Sequence, residues 1–289
     1  MVNIDHSKGE RLAAAIGAAN PLSALPVQLT ETSVLEFDFD AEDMDLVSPV
    51  LELLDIKKQQ QHEQLSTKQT PASLLSCELL AAIQPPLLGS RDVYFSIKFR
   101  QLLQDRVRHS KAIDRAYTNL IERVIAPHIY NQLNATDRLH LTKPTNTDRN
   151  RIFTIRYQHP PSLRIHPAHT TLFKRTHRDL EYGHQPAEIN FWLPLTTTKP
   201  DDSPTMEIEE NQSSDGLAFP YRPVRLDLGQ IQRFHGTLLH HRVPPNSSNF
   251  TRVSLDFRVA PVLCFDLGWK LPGLKIQHTY REFDLIVDV

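Results

Sequence analysis

The period of the apolar residues changes near residue 150, and that change constrains the fold more than any other feature. Between 91 and 130 the pattern is helical: Ile113, Tyr117, Leu120, Ile121 and Val124 recur at three- and four-residue spacings, a stripe whose run Pro127 limits. After 150 the apolar residues alternate. RIFTIRYQ places Phe153, Ile155 and Tyr157 on one face. EINFWLPLT sets Ile189, Phe191, Leu193 and Leu195 against Glu188, Asn190 and Trp192. VRLDLG alternates through Val224, Leu226 and Leu228, and TRVSLDFRV sets Val253, Leu255, Phe257 and Val259 against Arg252, Ser254, Asp256 and Arg258. Such alternation means strands with one buried and one polar face. Several of them, separated by Pro- and Gly-bearing turns, predict a mainly β fold, a sandwich or jelly roll packed beside N-terminal helices.

The chain has 289 residues, enough for one large domain or two small ones. Residues 1–90 read as a variable arm, and 91–289 as a helical buttress plus the strand-rich domain. The arm carries the acidic run EFDFDAEDMD at 36–45. An EF-hand needs Gly at the sixth loop position, but counting from Asp38 that position is Asp43, so a solvated acidic face is expected. LVSPVLELLDIKK predicts a short amphipathic helix, and KKQQQHEQLSTKQTPAS an exposed, flexible linker of low complexity. HLTKPTNTDRN at 140–150 reads as a polar loop. The arm is expected to be dispensable for the site described below.

Composition excludes several classes. A formal net charge of -2 leaves no electrostatic footprint for nucleic acid. No apolar run approaches the roughly 18 residues of a membrane span, and LAAAIGAA lacks the basic start of a signal peptide. Two cysteines, Cys77 and Cys264, cannot build a disulfide framework and suit a reducing, cytoplasmic setting. The expected partner is therefore a small molecule; the oligomeric state is open.

Eight of the 14 histidines fall between His159 and His241, which directs attention to a metal or acid–base site there. His177-x-Asp179 brings two metal-capable side chains to one face if the strand continues through them. His240 and His241, 63 and 64 residues downstream of His177, offer a third ligand from a distant strand. Two histidines and one carboxylate form the facial triad of non-haem Fe(II) oxygenases, with open positions opposite. Arg252 follows His241 by 11 residues and Ser254 lies two further along the same strand face. A guanidinium beside a hydroxyl is a receptor for a small carboxylate. Asn190 and Trp192 share a strand face that would either line the pocket or pack into the core.

The string His-x-Asp, a distant His, then Arg-x-Ser resembles the Fe(II)/2-oxoglutarate dioxygenase superfamily. The phrases HRDLEYGHQPAEINFWLPLT and HRVPPNSSNFTRVSLDFRVAP are similar to the StrG-like branch and, more loosely, to phytanoyl-CoA-type dioxygenases, over roughly residues 150–262. The resemblance implies a double-stranded β-helix, a cupin-like jelly roll. It implies that His177, Asp179 and His241 hold Fe(II), and that Arg252, assisted by Ser254, binds 2-oxoglutarate, with Asn190 nearby. The implied reaction uses O2, releases succinate and CO2, and hydroxylates a small metabolite. Asp179 occupies the position that related halogenases leave to halide, so halogenation is not expected. The residue after the distal histidine is commonly Gly in the family and is Arg242 here, which leaves His240 and His241 to be decided; the spacing to Arg252 and the PPN phrase favour His241.

His184 is expected to be structural, His235 to sit in the turn after the preceding strand, and Arg258 to pair with Asp256 or another acid. Two other classes compete. A cupin-like Zn or Mn hydrolase or isomerase would not need Arg252 with Ser254, and a non-catalytic barrel module would not need all three ligands.

Overall fold

The computed structural model describes residues 25–54, 80, 97–146, 149–170, 174–196, 206–210, 220–271 and 278–288. The glutamine-rich linker and Cys77 lie outside the described residues. The described helices are α1 (Val27–Thr30), α2 (Val47–Leu53), α3 (Ile97–His109), α4 (Lys111–Leu120), α5 (Ala126–Gln132) and α6 (Ala135–Leu141). The strands are β1 (Ser33–Glu36), β2 (Thr142–Pro144), β3 (Asn150–Gln158), β4 (Ser162–His166), β5 (Lys174–His177) and β6 (Ile189–Pro194). They continue with β7 (Met206–Glu209), β8 (Tyr221–Val224), β9 (Gln230–Phe234), β10 (His241–Val243), β11 (Arg252–Pro261) and β12 (Tyr280–Asp288). Among the described residues no helix is long and apolar enough to cross a membrane.

The chain is mainly β, in two antiparallel sheets. The larger runs β1-β9-β6-β11-β3-β12, with β2 added on β3 and β4 on β11; the smaller runs β5-β10-β7-β8. Alternation decides what each face meets. Phe153, Ile155, Ile189, Phe191, Leu193, Leu255, Phe257 and Val259 form one buried cluster with Ile113, Tyr117, Leu120 and Ile121 of the helical layer. The opposite face of the large sheet carries Asn190, Trp192, Arg252, Ser254 and Arg258, and these too are buried. Trp192 and Phe234 of that face cluster with Met206, Ile208 and Val224 of the small sheet. The polar face is thus turned toward the second sheet and not toward solvent.

The helical layer departs from one uninterrupted stripe. Ser110 separates α3 from α4, its side chain accepting the Ile113 N–H at 3.3 Å as an N-cap. Pro127 does not end the helical path. A π-helical turn over Ile121–Ile125 precedes it, with the Ala126 N–H bonded to the Ile121 carbonyl, and this widened turn is where the helical path accommodates Pro127, which has no N–H to give. The expected polar loop at 140–150 begins as the end of α6 and strand β2, while Asn150 opens β3. VRLDLG is only partly strand: β8 ends at Val224 and β9 starts at Gln230.

Part of the expected arm is built into the main core. Leu29, Leu35, Leu46, Val47, Val50 and Leu51 belong to the same cluster as Phe191 and Phe257. β1 pairs antiparallel with β9, Val34 opposite Gln232. Within the acidic run, Phe39 and Met44 are buried, and Asp45 accepts the N–H groups of Val47 and Ser48 at 2.9 Å each at the start of α2.

Candidate metal centre and cavity

His177 ends β5 and His241 begins β10; the two are direct cross-strand partners. Asp179 is positioned differently from the sequence expectation. The strand stops at His177, and Asp179 opens a 3-10 turn over Asp179–Tyr182 that closes on Gly183 in the left-handed region at φ 90°. The Asp179 N–H donates to the Gly236 carbonyl at 2.8 Å, tying this turn to the segment after β9. The turn, not continued pleating, brings the carboxylate to the histidines. Its Oδ1 lies 3.7 Å from His177 Nε2 and 3.5 Å from His241 Nε2, and the three ligating atoms fall within 4.8 Å of one another.

The donor set fits a divalent transition ion. Each imidazole turns Nδ1 to a backbone carbonyl, His177 to Arg175 at 2.7 Å and His241 to Leu239 at 3.2 Å. A carbonyl only accepts, so Nδ1 carries a proton and Nε2 is the nitrogen that each ring turns to Oδ1. Ligands at about 2.1 Å in adjacent octahedral positions stand ~3.0 Å apart, so Oδ1 would move in by roughly half an ångström on each histidine as an ion is bound. All three residues are buried.

Oδ2 of Asp179 faces away from the histidines. It accepts Nε and Nη2 of Arg258 at 2.8 and 2.6 Å and Nδ2 of Asn190. Burial pushes the Asp179 carboxyl up, but the Arg258 guanidinium and the nearby His241 outweigh it and hold the group well below the usual carboxylate range. Arg258 also donates to Asp256, as expected, at 2.8 Å and to Gln158 at 3.2 Å. Its bond to Asp179, a metal-ligand candidate 79 residues away, was not specified by any local pattern.

The remaining site residues separate clearly. His240 points elsewhere: its Nδ1 and its N–H both engage the Glu209 carboxylate, at 3.0 and 2.8 Å. His184 meets the buried Glu188 at 3.1 Å and lies outside the cavity lining. His235 follows β9 and bonds the Pro186 carbonyl at 2.7 Å. A cavity of about 670 Å³ opens on the centre, lined by His177, His241, Asn190, Arg252, Ser254 and Arg258, among others. Arg252 is placed by β4 and the loop before β11: it sits opposite His166 in the ladder and donates through Nη2 to the Pro245 carbonyl at 3.0 Å. Helix α3 contributes Phe99, Arg100, Gln101 and Gln104 to the wall, a contribution that no motif announced. Asn190 has its Oδ1 buried with no hydrogen-bond partner among the described residues.

Over 104 residues the chain is 32% identical to the streptomycin biosynthesis protein StrG of Streptomyces griseus, a match spanning 36% of this chain and 46% of StrG. The match thus spans less than half the length of that curated relative. No protein-family model matches the chain. Similar solved structures include the non-heme monooxygenase ThoJ as its Ni complex, at 18% identity and TM-score 0.35, covering 65% of this chain and 67% of that one. The non-heme alpha-ketoglutarate-dependent epimerase SnoN from nogalamycin biosynthesis is similar at 13% identity and TM-score 0.37, covering 94% and 93%. A prolyl-4-hydroxylase from Pseudomonas putida is similar at 16% identity and TM-score 0.32, covering 53% and 66%.

Proposed function

We propose that the chain is a non-haem Fe(II)- and 2-oxoglutarate-dependent oxygenase on a double-stranded β-helix frame, hydroxylating a small-molecule metabolite in the cytoplasm. The observation that carries this reading is the convergence of His177, Asp179 and His241 on one buried point of a cavity that also contains Arg252 and Ser254. The local homology to StrG, a protein of antibiotic biosynthesis by its name, supports a small-molecule substrate.

In this reading Nε2 of His177, Nε2 of His241 and Oδ1 of Asp179 hold the iron, and Arg252 with Ser254 receives the distal carboxylate of 2-oxoglutarate. Bound iron with the keto acid and O2 supplies the oxidising power for C–H hydroxylation, with release of succinate and CO2. The protein's part is positional. Carbonyl-anchored imidazoles keep their lone pairs on one point, and the two sheets exclude water around it. Asn190 presents a buried acceptor beside the centre, where a bound group with an N–H or O–H would satisfy it. All these residues lie in 91–289, which we take as the site-bearing unit.

The test is succinate release from Fe(II), 2-oxoglutarate and a metabolite library, with His177→Ala and His241→Ala as controls. Turnover in the native chain and none in either variant is expected. Failure of the native chain to bind 2-oxoglutarate with metal present would refute the reading.

A further inference from the structure

We propose that Arg258, assisted by Asn190, is a positioning residue that makes Asp179 a one-oxygen metal ligand and leaves the centre without net charge of its own. The inference rests on the metal-site reading above. A carboxylate oxygen offers two lone pairs, and Oδ2 of Asp179 is met by three donors: Nε and Nη2 of Arg258, at 2.8 and 2.6 Å, and Nδ2 of Asn190. No lone pair on Oδ2 is left for a metal, while Oδ1 faces both histidines.

The two donors share one origin in the sheet. Arg258 on β11 and Asn190 on β6 are direct cross-strand partners, so both side chains leave the same face toward the same carboxylate. Arg258 cannot turn away, because Nη1 is held by Asp256 at 2.8 Å and Gln158 at 3.2 Å, and Asp256 is held in turn by Arg164 at 2.7 Å. Asn190 is confined by Gly236: a Cβ there would stand 2.6 Å from the Asn190 side chain, so only glycine lets the amide lie where it does. Gly236 also accepts the Asp179 N–H through its carbonyl. One backbone position therefore sets both the carboxylate and one of its donors.

The charge count gives the arrangement a function. Two imidazoles holding the ion as neutral ligands, the Asp179 carboxylate with the Arg258 guanidinium, and the Asp256 carboxylate with the Arg164 guanidinium sum to zero, so a divalent ion would keep its full charge of two for an incoming anionic chelator. Without Arg258 that charge falls to one and Oδ2 becomes free to bind.

The probe is Ni2+ alone, followed by oxalate, on the whole chain without iron, O2 or keto acid. The native protein is expected to take one Ni2+ with Oδ1 at about 2.0–2.2 Å and Oδ2 turned to Arg258 in a crystal structure. Arg258→Met is expected to keep Ni2+, to bind it through both carboxylate oxygens, and to lose about tenfold in oxalate affinity by calorimetry. Asn190→Leu, which leaves the ion pair intact, is expected to shift the same readouts in the same direction by a smaller factor. A merely structural ion pair would instead lose Ni2+ and thermal stability together. If Arg258→Met does not fold, the native Ni2+ structure and Asn190→Leu decide. Both oxygens on Ni2+ in the native protein, or unchanged geometry and oxalate affinity in a folded variant, would overturn the proposal. A native chain that binds no Ni2+ would refute the metal-site reading itself, and this inference with it.

Discussion

Arg252 and Arg258 stand on one face of β11, six residues and about 20 Å of strand apart, with different partners. Arg258 is committed to Asp179, whereas Arg252 donates through Nη2 to the Pro245 carbonyl and lines the cavity. Arg252→Ala should therefore weaken 2-oxoglutarate and spare metal. Losing a charge-assisted contact to a buried carboxylate costs about 2–5 kcal/mol, a 30-fold or greater rise in the 2-oxoglutarate requirement. Unchanged dependence on 2-oxoglutarate would move that role elsewhere. Asp179 gives the complementary case. Asp179→Gly leaves the Arg258 guanidinium and the Asn190 amide directed at a vacated oxygen position, a buried charge without its partner. Hydroxylation should be lost, and added formate or chloride should restore part of the metal affinity by filling that position. The unaltered chain, with its carboxylate in place, should give only hydroxylated product by mass even at saturating chloride.

Among the elements, α4 shows local sequence acting alone. Its apolar stripe of Ile113, Tyr117 and Leu120 is buried, and Ser110 caps it. Ser110→Ala should cost about 0.5–2 kcal/mol, read as a lowered denaturant midpoint with the metal site unchanged. Strands β3, β6 and β11 were legible for the same reason, since each alternates over at least six residues. β4, β9 and β12 were not. β9, QIQRF, buries Gln232 and Arg233 beside Ile231 and Phe234, so no hydrophobic alternation marks it. What makes these positions tolerable is tertiary: Gln232 donates to the Ser33 carbonyl, and Arg233 to the carbonyls of Gln28 and Glu31. The HxD motif was legible as candidate chemistry and misleading as geometry, because the chain turns between His177 and Asp179.

At the scale of the molecule, the described residues before residue 90 share one buried cluster with the large sheet. Removing everything before Ser90 would delete β1 and uncover the surface that Leu29, Leu35, Val47, Val50 and Leu51 bury. Those side chains together contribute on the order of 10 kcal/mol, comparable with the whole stability of a domain. The truncated chain should fail to unfold cooperatively, and a native-like melt would restore the view of the arm as dispensable. His128, on α5, links the same layers and predicts a pH effect. Burial and the adjacent Arg233 push its imidazole down from the usual 6.5 to about 4, and its Nε2 faces Arg233 Nη1 at 3.3 Å. The folded protein keeps His128 neutral while the unfolded chain takes up the proton, so its contribution is complete above pH 6.5 and is lost as pH falls toward 4. His128→Gln should flatten the pH dependence of the urea midpoint across that window.

The sequence by itself determined the mainly β character, the helical stripe, the metal-capable side chains His177 and Asp179 with a histidine at 240 or 241 as candidates, and Arg252 and Ser254 on one strand face. Those follow from periodicity and spacing, which are properties of neighbours along the chain. Only the tertiary structure separates His240 from His241: Glu209 from a paired strand takes His240, while His241 faces Asp179. It alone joined Arg258 and Asn190 to Asp179, and put the described part of the expected arm into the core. Each of these depends on which strand lies beside which and in what register. That is set by burying every strand's apolar face at once, and no local stretch of sequence records it.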